Sequence, residues 1–65
     1  MMIDASKIVP GDKVLFRLVS KHREIRRVLE VDVAAQAVVI RYGKQARYLL
    51  PLAKVHEVFY SGKRN

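Results

Sequence analysis

The feature that most constrains the fold of this chain is a pair of strand-length apolar segments that flank Gly43. Both segments, residues 37–42 and 46–50, are typical of β-strands in composition, and the glycine between them is typical of a tight turn. A three-residue loop makes one face of this hairpin fully apolar, whereas a two-residue loop would place Ile40 opposite Arg47. Because side chains alternate between the faces of a strand, a slip of one residue would invert the pattern. We therefore predict a three-residue loop and the following pairs: Tyr42 with Ala46, Arg41 with Arg47, Ile40 with Tyr48, Val39 with Leu49, and Val38 with Leu50.

This register has two consequences for the outer face of the hairpin. Arg41 would lie opposite Arg47, and like charges that face each other across a ladder repel unless an anion lies between them. Val39 and Leu49 would lie beside this pair as an exposed apolar patch, which marks an interface more often than chance. We predict a homodimer through this face as the simplest use of the patch, with coverage by the C-terminal tail as the alternative.

The chain before the hairpin also predicts strands. A proline-glycine-aspartate turn at residues 10–12 is followed by a first strand over residues 13–19 and, after a polar break, by a second over residues 24–32. The main apolar residues of the second strand do not share one parity, which predicts a bulge or a sharp bend: Val28, Leu29 and Val31. A helix over residues 23–37 is the alternative, since apolar residues lie four apart there, but its valines lower helix propensity.

The C-terminal part adds one more short strand. A loose turn is expected at residues 33–36, and Pro51 ends the second hairpin strand because it cannot donate a hydrogen bond to a ladder. Residues 52–54 fit one 3₁₀ turn, and residues 55–60 form a fifth strand. The sequence therefore predicts an all-β domain with a 3₁₀ turn before its last strand. Its predicted core consists of Val14, Phe16, Val28, Val31, Val38, Ile40, Leu50, Leu52, Val55 and Val58.

With 65 residues, the chain has room for one domain, which we assign to residues 1–60, followed by a basic flexible tail at residues 61–65. A domain of this size buries only about 60% of the surface that its unfolded chain exposes. It has no cysteine, and therefore no disulfide and no thiolate zinc site. Residues 1–7 lack the pattern of a signal peptide, and no apolar run reaches the roughly 18 residues of a membrane span. We therefore expect a cytoplasmic protein that does not enter a membrane.

The predicted strand order resembles that of small SH3-like barrels. Residues 8–14 look like the entry to the first strand in Tudor-like and KOW-like domains, and residues 50–58 resemble the family's strand, 3₁₀ turn and closing strand. Residues 13–65 are also similar in layout to the DNA-binding C-terminal domain of retroviral integrases. The resemblance implies a five-stranded SH3-like barrel. Residues 23–32 depart from KOW domains in having no glycine where those domains use one.

Catalytic chemistry is not predicted. The two histidines, His22 and His56, have no carboxylates at a spacing typical of a triad or a metal site, and Glu57 should point to the strand face opposite His56. Small plasmid-borne dihydrofolate reductases share this fold class, but their Gln-Ile-Tyr triplet before a proline has no counterpart in residues 47–51. We therefore predict a non-enzymatic protein without a metal, a cofactor or a small-molecule substrate.

The clearest functional signal is positive charge. Thirteen Lys and Arg residues against six Asp and Glu residues give a net charge of +7, and the planar guanidinium of arginine suits bidentate phosphate contact. Tyr60 is expected to be exposed and able to stack on bases, whereas Tyr42 and Tyr48 should pack in the core. We predict a nucleic-acid-binding module, for DNA rather than RNA, that contacts phosphates largely independently of sequence. Its candidate residues are Lys21, Arg23, Arg26, Arg27, Arg41, Lys44, Arg47, Tyr60, Lys63 and Arg64.

Two alternative interpretations of the same surface stay open. A basic face can simply be solvated. An SH3-like adaptor could instead use Val39, Leu49 and exposed aromatic residues to bind an acidic protein partner or a second copy of the chain. Nucleic-acid binding predicts a steep loss of affinity with salt, whereas an apolar interface predicts little change.

Overall fold

The computed structural model describes residues 3–18 and 22–63, which form two three-stranded antiparallel sheets. The strands are β1 (Lys13–Phe16), β2 (Glu24–Arg27), β3 (Glu30–Asp32), β4 (Ala37–Tyr42), β5 (Gln45–Pro51) and β6 (Val55–Phe59), and 3₁₀ turns span Ala5–Lys7 and Leu52–Lys54. The first sheet has the order β2-β1-β6, and the second has the order β3-β4-β5. The described residues include no α-helix, and none of their helical turns is long enough to cross a membrane. The all-β class and the 3₁₀ turn before the last strand are therefore confirmed.

The structure has six strands where the sequence predicted five, and its two sheets are not closed into one barrel. The difference arises at residues 28–29, where the predicted second strand bends. The amide of Val28 donates to the carbonyl of Asp12 at 2.7 Å, beside the first sheet, whereas the amide of Leu29 donates to the carbonyl of Val39 in the second sheet at 2.8 Å. The bend that the mixed parity predicted therefore passes the chain from one sheet to the other. The alternative of a helix across this segment is wrong.

The hairpin formed by β4 and β5 follows the predicted register except at its tip. The pairs Val38 with Leu50, Val39 with Leu49, and Ile40 with Tyr48 are present. The ladder then shifts, and Tyr42 pairs with Gln45 rather than with Ala46, so the loop has two residues. Two residues of β5, Ala46 and Arg47, consequently lie opposite Arg41 as a bulge. The predicted direct pairing of Arg41 with Arg47 is therefore wrong.

The core lies between the two sheets and contains the residues that the sequence pattern predicted. Eight of them are buried: Val14, Phe16, Val28, Val38, Ile40, Leu50, Leu52 and Val55. Val31 and Val58 are partly buried against this cluster, as are Tyr42 and Tyr48. The ring of Tyr42 lies 5.9 Å from that of Phe16 and 5.3 Å from that of Tyr48, so both tyrosines pack against the core as predicted. The N-terminal segment adds Ala5 and Ile8, which the sequence analysis did not include.

Asp12 is fully buried and joins the two ends of the domain. Its carboxylate accepts the amide of Val9 at 3.0 Å and that of Gly62 at 2.6 Å, fifty residues along the chain. A side chain at Gly62 would meet Val9, Pro10 and Asp12 at less than 3 Å, so the segments pack in direct contact. The sequence predicted a flexible tail from residue 61, yet Gly62 is held by this bond. Residues 64 and 65 of that tail lie outside the described residues.

Candidate nucleic-acid interface

A shallow cleft lined by basic side chains lies where β1 and β2 of the first sheet meet β4 of the second. Its volume is about 430 Å³, and we call it the basic cleft, lined by Lys13, Arg26, Arg27, Leu29 and Arg41. The bend after β2 brings the arginines of that strand next to Arg41, fourteen residues or more along the chain. Candidate residues that are separate in the sequence, Arg26 and Arg27 on β2 and Arg41 on β4, thus line one concave surface.

Lys13 and Arg27 are direct partners in the ladder between β1 and β2. Their side chains are exposed on the outer face of the first sheet, because Val14, the next residue of β1, points into the core. Directly opposed side chains in an antiparallel ladder have Cβ atoms about 4.5–5.5 Å apart, and like charges at that distance destabilise the pair. Among the described residues, neither Lys13, Arg27 nor Arg41 makes a side-chain hydrogen bond or an ion pair. The basic cleft therefore holds three cations that carboxylates do not neutralise.

Two other candidate arginines are engaged by carboxylates. Arg26 donates to Glu24 at 2.8 Å and to the carbonyl of Ile25 at 2.9 Å. Partial burial and a hydrogen bond with Glu24 raise the pKa of Tyr42, so Arg26 belongs to a polar group at the edge of the core. Arg47 forms a salt bridge with Glu30, which lowers the pKa of that carboxyl and raises the pKa of the guanidinium.

Most of the remaining carboxylates bind backbone amides rather than cations. Asp4 accepts from the amide and the hydroxyl of Ser6, which lowers the pKa of its carboxyl. Asp32 accepts from the amide of Ala35 in the turn before β4, and Asp12 holds the contact with Gly62 described above. The acidic side chains are thus used to build turns and to hold Arg26 and Arg47. The cations of the basic cleft lie apart from these contacts.

The other predicted contact residues are spread around the molecule. Arg23 precedes β2, Lys44 lies at the tip of the hairpin and Lys63 follows Gly62, and all three are exposed. Tyr60 is 54% exposed, as expected. Lys21 and Arg64 lie outside the described residues. The described ones among them, Arg23, Lys44, Tyr60 and Lys63, do not line the basic cleft.

The predicted apolar interface is only half present, because Val39 is 8% exposed while Leu49 is 52% exposed. Val39 lies on the central strand of the second sheet, with Glu30 on one side and Leu49 on the other. The salt bridge from Glu30 to Arg47 joins β3 to β5 and therefore crosses β4. The expectation that Val39 is exposed is wrong, because β3 pairs with β4 and makes it a central strand, a pairing that the sequence did not predict.

Two residues on the outer face of the first sheet, beside Arg27, were not among the residues predicted from the sequence. Lys13 opens β1, and Phe59, 38% exposed, pairs with it at the end of β6. The alternation of β1 places Lys13 on a solvent face, but only the register of the first sheet shows that Arg27 and Phe59 are its neighbours. The pairing of Lys13 with Phe59 joins residues more than forty positions apart, and nothing local in the sequence sets it.

The described part of the chain contains no group of three or more His, Asp or Glu side chains placed to hold a metal ion. Comparison of the chain with models of protein families, with curated proteins and with solved structures finds no match. The fold and the basic cleft are therefore the features from which a function can be inferred.

Proposed function

We propose that this protein is a small non-enzymatic nucleic-acid-binding module, with DNA as its first ligand, that holds backbone phosphates in the basic cleft. The observation that carries the proposal is the direct pairing of Lys13 with Arg27, close to Arg41 and without a carboxylate partner. A phosphate between these cations would replace repulsion by charge-assisted hydrogen bonds. A phosphate between Arg41 and Arg47 is not part of this site, since Arg47 already binds Glu30.

The driving force would be the release of counterions from the nucleic acid. Each neutralised phosphate releases condensed cations, and this supplies most of the affinity of binding that does not depend on sequence. The net charge of +7 on 65 residues would also attract a polyanion before contact. The resemblance to SH3-like nucleic-acid-binding domains agrees with such a role, and it stays a prediction.

Replacement of Arg27 by glutamine tests this proposal, with Arg47→Gln as the matched control. Arg27→Gln removes a repulsion, so the thermal stability in low salt should stay level or rise. Its affinity for DNA should fall to a similar extent for unrelated sequences, and the slope of log affinity against log salt should become shallower by about one unit. Arg47→Gln removes the partner of Glu30, so it should lower the stability and change the salt slope less.

Gel-shift titrations of both variants against duplex and single-stranded oligonucleotides, at several salt concentrations, measure these differences. If wild-type protein binds no oligonucleotide at low salt, the proposal is wrong. It is also wrong if Arg27→Gln lowers the stability and leaves the salt slope as it was, because Arg27 would then be a structural residue.

A protein-interaction role is the second candidate, supported by the exposed apolar side chains of the second sheet. Leu49 is 52% and Val33 is 49% exposed, and both line a concave surface with Glu30 and Arg47. Such a surface would bind a second copy of the chain or an acidic protein partner. Sedimentation at high and low salt separates the candidates: self-association that persists in high salt favours this one, whereas salt-sensitive binding of DNA by a monomer favours the first.

A further inference from the structure

The outer face of the first sheet carries an aromatic ring in the same row as two cations of the basic cleft. Lys13 pairs with Arg27 on β2 and with Phe59 on β6, so the three side chains form one cross-strand row. Phe59 points outward, since its neighbour Val58 pairs with Val14 and packs against the core. The ring is 38% exposed, whereas the other phenylalanine, Phe16, is fully buried.

The spacing of this row suits one nucleotide and the backbone beside it. Neighbouring strands lie about 4.7–4.9 Å apart, so Phe59 and Arg27 are separated by about 10 Å with Lys13 between them. A base on the ring of Phe59 would therefore place its sugar-phosphate backbone towards β1 and β2, where the cations lie. In the next row of the same face, Glu57 lies beside Leu15 at the β6 edge and would repel a phosphate there. The phosphates would therefore lie on the side of β1 and β2.

An exposed aromatic face distinguishes paired from unpaired bases. In a duplex, the faces of each base are covered by its stacked neighbours, whereas an unpaired base can stack on an aromatic side chain. Cations alone would hold the phosphates of either form. An aromatic ring in line with two cations therefore favours single-stranded nucleic acid, in which the bases are accessible.

We propose that Phe59 stacks on an unpaired base while Lys13 and Arg27 hold the adjacent phosphates, so that the protein prefers single-stranded DNA to duplex DNA. This inference depends on the proposed function, because it assigns the form of nucleic acid that the same surface binds. Ile25, which is 49% exposed and pairs with Leu15 in the next row, extends the apolar part of the surface.

Fluorescence anisotropy with three labelled DNA probes of equal length tests the inference without any variant. The probes are a single strand, the same strand with abasic sites, and the duplex. The wild type should bind the single strand about 5- to 150-fold more tightly than the abasic strand, the factor expected for one stacked base. It should also bind the single strand more tightly than the duplex. Equal binding of all three probes overturns the inference and leaves the proposed function in place, whereas binding of none overturns both.

Substitutions of Phe59 and Tyr60 then show which of the two rings stacks on the base. Phe59→Leu keeps an apolar side chain without an aromatic face, so it should lose the preference for bases over abasic sites and keep the wild-type salt slope. Phe59→Tyr should restore the preference. Tyr60→Leu tests the competing assignment to the adjacent exposed ring, which the sequence predicted to stack on bases. A loss with Tyr60→Leu and none with Phe59→Leu overturns the assignment. A single-stranded RNA arm should show the same loss with Phe59→Leu, since neither stacking nor phosphate contact reads the sugar.

Discussion

Replacement of Asp12 by asparagine removes one carboxylate oxygen from a buried contact that joins the two ends of the domain. The carboxylate accepts two backbone amides, those of Val9 and Gly62, and is itself fully buried. Asparagine has a single acceptor oxygen, so its amide group would face one of these backbone donors. A hydrogen bond to a charged group contributes about 1.5–3 kcal/mol, and a buried donor left without a partner costs about 1–3 kcal/mol. We expect Asp12→Asn to lower the free energy of unfolding by about 2–5 kcal/mol.

This loss is large for a domain of 65 residues, whose total stability is on the order of 3–10 kcal/mol. Urea denaturation followed by far-ultraviolet circular dichroism measures it, and Asp32→Asn provides the control. Asp32 is also an aspartate that accepts a backbone amide in a turn, but it is exposed. Its replacement should therefore change the stability much less.

A chain that ends at Tyr60 tests whether the contact with Gly62 is responsible. The truncation should itself lower the stability, and Asp12→Asn should then cost about 1–3 kcal/mol less than in the full chain, since one of the two donors is absent. Gly62→Ala should resemble the truncation, because its Cβ would meet Val9, Pro10 and Asp12 at 2.7–2.8 Å. An equal loss with Asp12→Asn in the full and truncated chains would show that Asp12 acts only through its own turn.

Four further substitutions test the packing and the electrostatics of the second sheet. Ile40→Ala should lower the free energy of unfolding by about 2–5 kcal/mol in urea titrations, because the side chain is fully buried. Val39→Thr should destabilise the domain while Leu49→Gln leaves its thermal midpoint nearly unchanged, and equal effects would contradict the difference in burial between them. Since Arg47 lowers the folded-state pKa of Glu30, the stability that this pair contributes is present above the ordinary pKa of a glutamate and is lost as the pH falls through the lowered value. Unfolding curves across the acidic range should therefore show a weaker pH dependence for Glu30→Gln than for the wild type.

The register of the hairpin could be predicted closely because it depends on residues that are near one another in the sequence. Alternation over β4 and β5 leaves one register that makes a face apolar, and the pairs from Val38 to Ile40 follow it. The tip differs because a bulge opposite Arg41 absorbs one residue and allows a two-residue loop. Alternation of apolar residues does not detect such a bulge, since Arg41, Gln45 and Arg47 interrupt the apolar pattern at the tip.

The bend and the buried carboxylate show where local patterns stop being informative. Mixed parity around Val28 and Leu29 predicted a bend, but the hydrogen bonds that pass the chain to the second sheet join Leu29 to a strand ten residues away. Asp12 was expected to form a turn, which it does with Val9. Its second role depends on Gly62, at the far end of the chain. Burial of a charged side chain is set by what packs over it, and that is a property of the tertiary structure.

The candidate site could be predicted as a type of surface but not as a set of neighbours. Composition gives the excess of cations, and any arginine on a strand can reach a phosphate. The carboxylates determine which cations are left without a partner, and Glu24 and Glu30 form salt bridges with Arg26 and Arg47. Only the strand pairing of the first sheet then shows that two of the other cations, Lys13 and Arg27, lie side by side.

The pair of Lys13 and Arg27 is the point at which stability and the proposed function oppose each other. In a small domain with marginal stability, a directly opposed pair of like charges destabilises the ladder, and neither side chain forms an ion pair with a carboxylate of the described residues. Sequences that specify a fold are locally consistent, and departures from that consistency tend to lie at functional sites. Binding of a phosphate would relieve the repulsion, so the same two side chains that weaken the free protein would stabilise its complex. Stability and affinity should consequently move in opposite directions when either cation is neutralised, whereas neutralising Arg47 should lower stability through the loss of its contact with Glu30. That difference in sign separates a ligand-binding arginine from a structural one on the same small surface.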